Sequence, residues 1–225
     1  MKNLAIIPAR GGSKRIPRKN IKDFLGKPIV AYSIEAALKS GLFEEVMVST
    51  DDEEIAKIAK NYGASVPFLR SERTSNDVAG LADVVEEVTN MYSTLCDKKF
   101  DYICCILSTS PLLTKQLLQC GFDELITKNA DSVRPLVRFG YPIQRAFLLD
   151  EQGAVRMFNP EYSQTRSQDL VPAFHDAGMF YWMKAEKGLK GEKKYGFEIS
   201  EMNSQDIDNE VDWTMAELKF KLQNR

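Results

Sequence analysis

From Leu4 to Phe139 the chain keeps one rhythm: apolar runs of about six residues alternate with longer segments whose apolar side chains recur at helical spacing. "LAIIPA", "EVMVST", "ASVPFL", "YICCIL" and "DSVRPLVRF" read as strands. "IVAYSIEAALKS" places Ile29, Tyr32, Ala36 and Ala37 on one helical face and stops at Gly41. "DDEEIAKIAKNYG" opens on acidic residues, which suit the positive end of a helix dipole, and closes on Gly63. "LADVVEEVTNMYSTL" and "LLTKQLLQCGFDELITKN" are helical in period. Such an alternation predicts an α/β chain with a mostly parallel sheet, and the continuously apolar strands predict burial on both faces.

The rhythm breaks at Gly140 and resumes after Phe174. Between them Pro142, Gly153, Pro160 and Pro172 interrupt any regular element, while Tyr141, Phe147, Phe158 and Tyr162 make the stretch too aromatic for a plain loop. We read 140–174 as an excursion that packs on a second subunit. "GMFYWM", "FEISEM" and a closing helix "NEVDWTMAELKFKLQ" follow. The 225 residues suit a single domain, 1–225.

Charge narrows the function. The net charge is −2, so the chain lacks the general basic excess of a nucleic-acid binder, and no apolar run reaches the length of a leader or membrane span. The expectation is a cytoplasmic protein without nucleic-acid or membrane partners. Cys96, Cys104, Cys105 and Cys120 include no C-x-x-C pair, and there is one histidine, so we expect buried reduced thiols rather than structural zinc.

Against that near-neutral background stands "IIPARGGSKRIPRKN", with Arg10, Lys14, Arg15, Arg18 and Lys19, then Lys22, and no acidic residue before Asp23. Gly11 and Gly12 follow a strand, where open α/β sheets bind ligands, and glycines let backbone N–H groups approach a phosphate. Arginine grips phosphate oxygens bidentately and lysine adds a compact charge. The stretch reads as a polyphosphate cradle. Neither the P-loop G-x-x-x-x-G-K-[ST] nor the dinucleotide G-x-G-x-x-G is present, which removes the main support for kinase and dehydrogenase readings.

This loop resembles the signature of the sugar-activating cytidylyltransferases, the CMP-sialic acid synthetase family. "GKPIVAYSIEAALKSGLFEEVMVSTDDEEIAKIAKNYGA", "LRSERTSND", "STSP" and "DIDNEVDW" continue the resemblance along nearly the whole chain. Arg15 and "FHDAGMFYW" look most like the branch that acts on pseudaminic acid. The resemblance implies a Rossmann-like nucleotide-diphospho-sugar transferase fold in three α/β/α layers, CTP as donor, Mg²⁺ (or Mn²⁺) and a homodimer. The implied reaction joins a nine-carbon α-keto acid sugar to CTP, giving a CMP-sugar for surface glycan or flagellin and pyrophosphate.

Residue by residue, the resemblance assigns Arg10, Ser13 and Lys14 to the triphosphate, with Ala9, Gly11 and Gly12 beside them. Lys19 and Asn20 fall near the α-phosphate and cytidine, and Lys19 is the expected stabiliser of charge at the reacting phosphorus, with Arg10 and Lys14 assisting. Arg70 matches a position near the cytosine, with a plain surface arginine as the alternative. Asp206 and Asp208, two residues apart in "SQDIDNEVD", match the metal-binding pair; in an extended chain they share a face, and a helix cap is the alternative for Asp208. Asp212 reads as a first-turn helix residue, and Asp51 as the N-cap of the helix after the second strand. Ser108 and Thr109 are expected at the sugar, with Leu107 where sialic acid synthetases usually carry glutamine, which counts against N-acetylneuraminate. Arg166 matches a contact to the sugar's carboxylate or an intersubunit ion pair, and His175 and Asp176 suit sugar recognition or packing. The rivals are the same chemistry on N-acetylneuraminic or legionaminic acid and, from a different class, a nucleotide sensor without catalysis.

Overall fold

The computed structural model describes residues 1–76 and 78–224. In chain order its elements are β1 (Asn3–Pro8), β2 (Asp23–Phe24), β3 (Lys27–Pro28), α1 (Ile29–Ser40), β4 (Glu45–Ser49), α2 (Glu53–Asn61), α3 (Glu72–Ser75), α4 (Leu81–Leu95), β5 (Tyr102–Ile106), α5 (Lys115–Thr127) and β6 (Ser132–Arg138). Then come β7 (Phe147–Leu149), β8 (Val155–Met157), β9 (Phe174–Asp176), β10 (Phe180–Lys184), β11 (Lys194–Ile199) and α6 (Glu210–Gln223).

The central sheet runs β11-β6-β10-β5-β1-β4, with β9 pairing β6. β1 is parallel to β4 and β5, and β11 to β6; β10 is antiparallel to both of its neighbours. β9 and β10 both pair antiparallel with β6, but in registers three residues apart, so the chain bulges at Ala177–Met179 between them. The sheet is therefore mostly parallel, as the rhythm predicts, with one reversed ribbon at its middle.

Alternating side chains of the strands bury on opposite faces. Ala5, Ile7, Cys104, Ile106 and Trp182 pack with Val30, Ile34, Leu118 and Phe122 of α1 and α5. Leu4, Ile6, Met47, Cys105 and Met183 pack with Val84, Val88 and Tyr92 of α4. This gives three layers. Mid-helix Gly121 has a packing reason: a Cβ there would lie 2.7 Å from a ring carbon of Phe180, so α5 sits hard against β10. The Trp182 indole also donates to the Leu118 carbonyl at 3.0 Å. A third, smaller cluster joins Ile16, Phe24, Ile29, Tyr32, Ile207, Trp213 and Ala216 beneath the start of α1 and α6.

Some local expectations change. "ASVPFL" forms no strand; Ser65 alone bridges to Met47, and Pro67, which has no N–H to donate, follows two residues later. α2 is capped by Asp52, whose carboxylate accepts from the Glu54 and Ile55 amides, not by Asp51. Gly63 takes the left-handed turn (φ 92°) one residue beyond the Tyr62 cap. On α6 the cap is Asn209 in a reciprocal box with Asp212, so Asp208 is not a cap. Cys104 and Cys105 are fully buried, and burial pushes the Cys105 thiol up to about 12; Cys120, however, is exposed on α5. The excursion holds the β7–β8 hairpin and short 3-10 turns, and it leaves Tyr141, Phe147, Leu149 and Phe158 more than half exposed. Among the described residues no helix is long and apolar enough to cross a membrane.

Candidate active site

A cavity of about 320 Å³ opens at the carboxyl edge of the sheet, where β1, β4 and β5 all end. Pro8, Arg10, Ser13, Lys19 and Asn20 line it from the loop after β1, and Leu107, Ser108 and Thr109 from the loop after β5. Arg70, Thr74, Asn76, Ala79, Leu81 and Val84 form another wall, and Asp206 completes the ring. Of the residues expected at the nucleotide, Ala9, Gly11, Gly12 and Lys14 stand outside this lining.

The loop is built by tertiary bonds. The Ala9 amide donates to Ser49 O at 2.9 Å, and Gly11 N–H to the Asp51 carboxylate at 3.0 Å, so this glycine's amide is turned toward a carboxylate rather than into the cavity. Buried Asn20 bridges two loops: its amide nitrogen donates to Arg10 O (2.8 Å) and its oxygen accepts from the Ser108 hydroxyl (2.8 Å). Ile16 is buried in the third cluster, so the charges around it are carried on an apolar anchor.

Lys19 lies half-buried with its ammonium donating to Ile207 O at 2.6 Å. Burial, with Arg15 and Arg10 nearby, lowers its pKa against the pull of Asp208 and Asp206. Asp206 shows the reverse: burial within the cleft, then the negative charge of Asp208, raise its carboxyl, while Lys19 opposes. Ile207, between the two aspartates, is fully buried beside Ile16 and Trp213, so the alternation of an extended chain turns both flanking carboxylates away from that cluster. Asp208 pairs with Arg15 at 2.8 Å, an ion pair exposed enough to exchange readily for another cation. Among the described residues no cluster of three or more His, Cys, Asp or Glu is formed. Two hard carboxylates that repel one another, beside cations suited to phosphate, fit an ion that takes the rest of its shell from phosphate and water.

Arg70 is buried, not a surface residue, and donates to Ser49 O (2.5 Å) and Ser49 Oγ (3.1 Å); burial lowers its pKa. The wall following it rests on buried Glu87 of α4, which accepts from Ser71 N–H (2.9 Å), Ser71 Oγ (2.7 Å) and Thr74 Oγ1 (3.0 Å).

The remaining expected sugar contacts stand apart. Arg166 is exposed and pairs with Asp169 at 2.8 Å within the excursion. His175 is exposed on β9, its ring tilted 60° against Phe139 (ring centroids 5.0 Å), with Nδ1 2.9 Å from Asp176 O. Asp176 accepts from Arg134 (3.0 Å) and from the Gly178 amide (2.9 Å); a Cβ on Gly178 would meet Asp206 at 3.3 Å, so this carboxylate supports the Asp206 side of the cleft. Sequence reasoning passed over Thr74, Asn76, Ala79, Leu81 and Val84, whose only signal was their place in "LRSERTSND" and the helix start after it.

A cation-lined cleft at the carboxyl edge of a mostly parallel Rossmann-like sheet, faced by a carboxylate pair, is the construction of a nucleotidyltransferase. The chain belongs to the cytidylyltransferase family, whose profile matches residues 4–212. It is 48% identical over 190 residues to a pseudaminic acid cytidylyltransferase of Campylobacter jejuni, covering 84% of this chain and 82% of that one. It is 32% identical over 236 residues to a CMP-N,N'-diacetyllegionaminic acid synthase of Legionella pneumophila, covering 99% and 97%. Its fold is that of a CMP:2-keto-3-deoxy-manno-octonic acid synthetase solved with CTP, at TM-score 0.72, 16% identity and coverage of 99% and 100%.

Proposed function

We propose that this enzyme joins CTP to pseudaminic acid, forming CMP-pseudaminic acid and pyrophosphate. The observation that carries the reading is the 48% identity to a pseudaminic acid cytidylyltransferase along four fifths of both chains, with the cleft intact. The anomeric hydroxyl of the sugar attacks the α-phosphorus; a new P–O bond forms, the bond to the β-phosphate bridging oxygen breaks, and pyrophosphate leaves. Such transfers need positioning and neutralisation of charge more than covalent help. Arg10 and Ser13 hold phosphate oxygens, Lys14 adds positive charge from the same loop, and Lys19 meets the negative charge that grows at the α-phosphate. A depressed lysine pKa suits this, because the cavity's walls shield it from water and strengthen its field. Ser108 and Thr109 face the sugar, and Arg70 and Asn20 the cytidine side.

Asp206 and Asp208 hold Mg²⁺, which when bound supplies Lewis-acid charge to the phosphates. The exposed aromatic surface of 140–174 supports a homodimer, in which Arg166 of the excursion and His175 just beyond it are the residues to look for near a neighbouring site. The reaction is proposed for the cytoplasm, where CTP is made.

The test measures pyrophosphate release from CTP and Mg²⁺ with pseudaminic acid and N-acetylneuraminic acid in parallel. Release with pseudaminic acid alone is expected. Release with N-acetylneuraminic acid alone overturns the sugar while keeping the chemistry, and CTP binding without release from either sugar favours a sensor.

A further inference from the structure

The basic loop contains one cation that turns its back on the cavity. Arg18 is absent from the cavity's lining, and its guanidinium reaches the other way, across to α2. One guanidinium nitrogen contacts Asp52; a second lies 3.2 Å from the other Asp52 oxygen and 2.5 Å from Glu54. Asp52 is the N-cap of α2 and Glu54 lies in its first turn, so the partners stand on a rigid element. Arg18 takes a left-handed backbone conformation (φ 56°), unusual for a residue of its kind. That conformation ends the phosphate loop and starts the short turn carrying Lys19 and Asn20. The same Asp52 carboxylate presses on the loop's other end, since a Cβ on Gly11 would lie 2.8 Å from it. Its neighbour Asp51 holds the Gly11 amide. Both ends of the cation-rich loop are therefore tied to one helix terminus.

We propose that Arg18 is a positioning residue for nucleotide binding: its fork onto Asp52 and Glu54 latches the loop in its ligand-ready shape before CTP arrives. The physical need is plain. Arg10, Lys14, Arg15, Arg18 and Lys19 repel one another, and a loop without its anion gains by spreading. A glycine pair gives it the freedom to do so. Affinity falls in proportion to the fraction of molecules holding the competent shape. Loss of the latch thus weakens CTP binding without touching the chemical step. Because the pair is partly exposed (side chains 40% and 21%), its share of global stability is small beside its hold on the loop, and a Tm read with KM separates the two.

This inference rests on CTP being the nucleotide. The experiment uses the full chain with CTP, Mg²⁺ and pseudaminic acid, comparing wild type, Arg18→Asn, Asp52→Asn and the double variant. Asparagine tolerates the left-handed conformation at 18 and remains a good N-cap at 52, so backbone and helix are preserved. Each single variant is expected to raise KM for CTP about tenfold with kcat within about twofold, and the double variant to be no worse than either single. Arg18→Lys, which keeps the charge but not the fork, should recover part of the loss. Unchanged KM in the single variants, a Tm loss without a KM change, or effects that multiply in the double variant would each overturn the latch. A wild type that releases no pyrophosphate from CTP fails the functional reading instead, and CTP affinity measured by calorimetry across the same four proteins then decides the latch on its own.

Discussion

The Asp206 carboxyl is pushed above its ordinary range by burial in the cleft and by the charge of Asp208. A carboxyl whose folded value exceeds its unfolded one costs the folded state stability once pH rises past both values, as at neutrality. Asp206→Asn keeps shape and removes the charge; because the residue is solvent-exposed and screened, Tm at pH 7 should rise by no more than about 1 °C. Under the proposed metal role it should also abolish Mg²⁺-dependent pyrophosphate release. A fall in Tm would mean that the repulsion is already relieved in the protein. The gain in stability bought by disarming the site is the general signature of a functional residue. At this scale the sequence was informative where charge was dense: Arg10, Ser13, Lys19, Asn20, Arg70, Ser108, Thr109 and Asp206 all reach one cavity. It was silent on Ala79, Leu81 and Val84, because apolar side chains lining a cleft leave the same pattern as those filling a core. Asp52 takes the cap expected of Asp51 for a similar reason, since two adjacent carboxylates suit a cap equally until the helix start is fixed.

Among the elements, the third cluster decides how the cleft stays in register. Ile16 of the phosphate loop and Ile207 of the carboxylate loop, remote from one another in sequence, meet against Phe24 and Trp213. Phe24 touches Tyr32, Trp213 and Phe220 edge to face at 5.3, 5.5 and 5.8 Å, and Lys22 sits 4.5 Å above the Trp213 ring. Trp213→Ala should cost about 3–5 kcal/mol. Activity should fall more steeply than the folded fraction, because Lys19 leans on the Ile207 carbonyl. Circular dichroism at the assay temperature, set beside pyrophosphate release, checks this; parallel losses would confine Trp213 to stability. The helices and buried strands were legible because their periods are intrinsic to the backbone. "ASVPFL" was not, since whether an apolar run pairs depends on an edge supplied from elsewhere. The β7–β8 hairpin hid for the opposite reason: its side chains are largely exposed, leaving no inward-outward contrast to read.

For the whole molecule, acid sensitivity follows from carboxylates held below their ordinary range. Lys27 and Lys39 hold down Glu35, and at Glu45 the bonds from Lys98, Tyr92 and Ser65 overcome an opposing burial, with a smaller share from Asp52 under Arg18. Each contribution is complete above the unfolded value, near 4, and disappears as pH falls through it toward the lower folded value. Tm should hold level from pH 7 to about 5 and drop below about 4.5, as calorimetry across that range would record; a level Tm down to pH 3 would show that these pairs stabilise nothing. The excursion was recognisable as an interruption but not as a shape, because its contacts within one chain are few and its aromatic side chains point outward.

The reversed strand β10 has a consequence for synthesis. It separates β5 from β6 in the sheet, yet it is made after both, on the far side of the excursion. While the ribosome translates that interval, at about 5–20 residues per second, the β4-β1-β5 half and β6 cannot join, and β5 and β6 each wait for several seconds with an unpaired edge. A nascent chain stalled before Phe180 would expose those edges to other chains, so the need for protection by chaperones is greatest while the stretch between Arg138 and Phe180 is made.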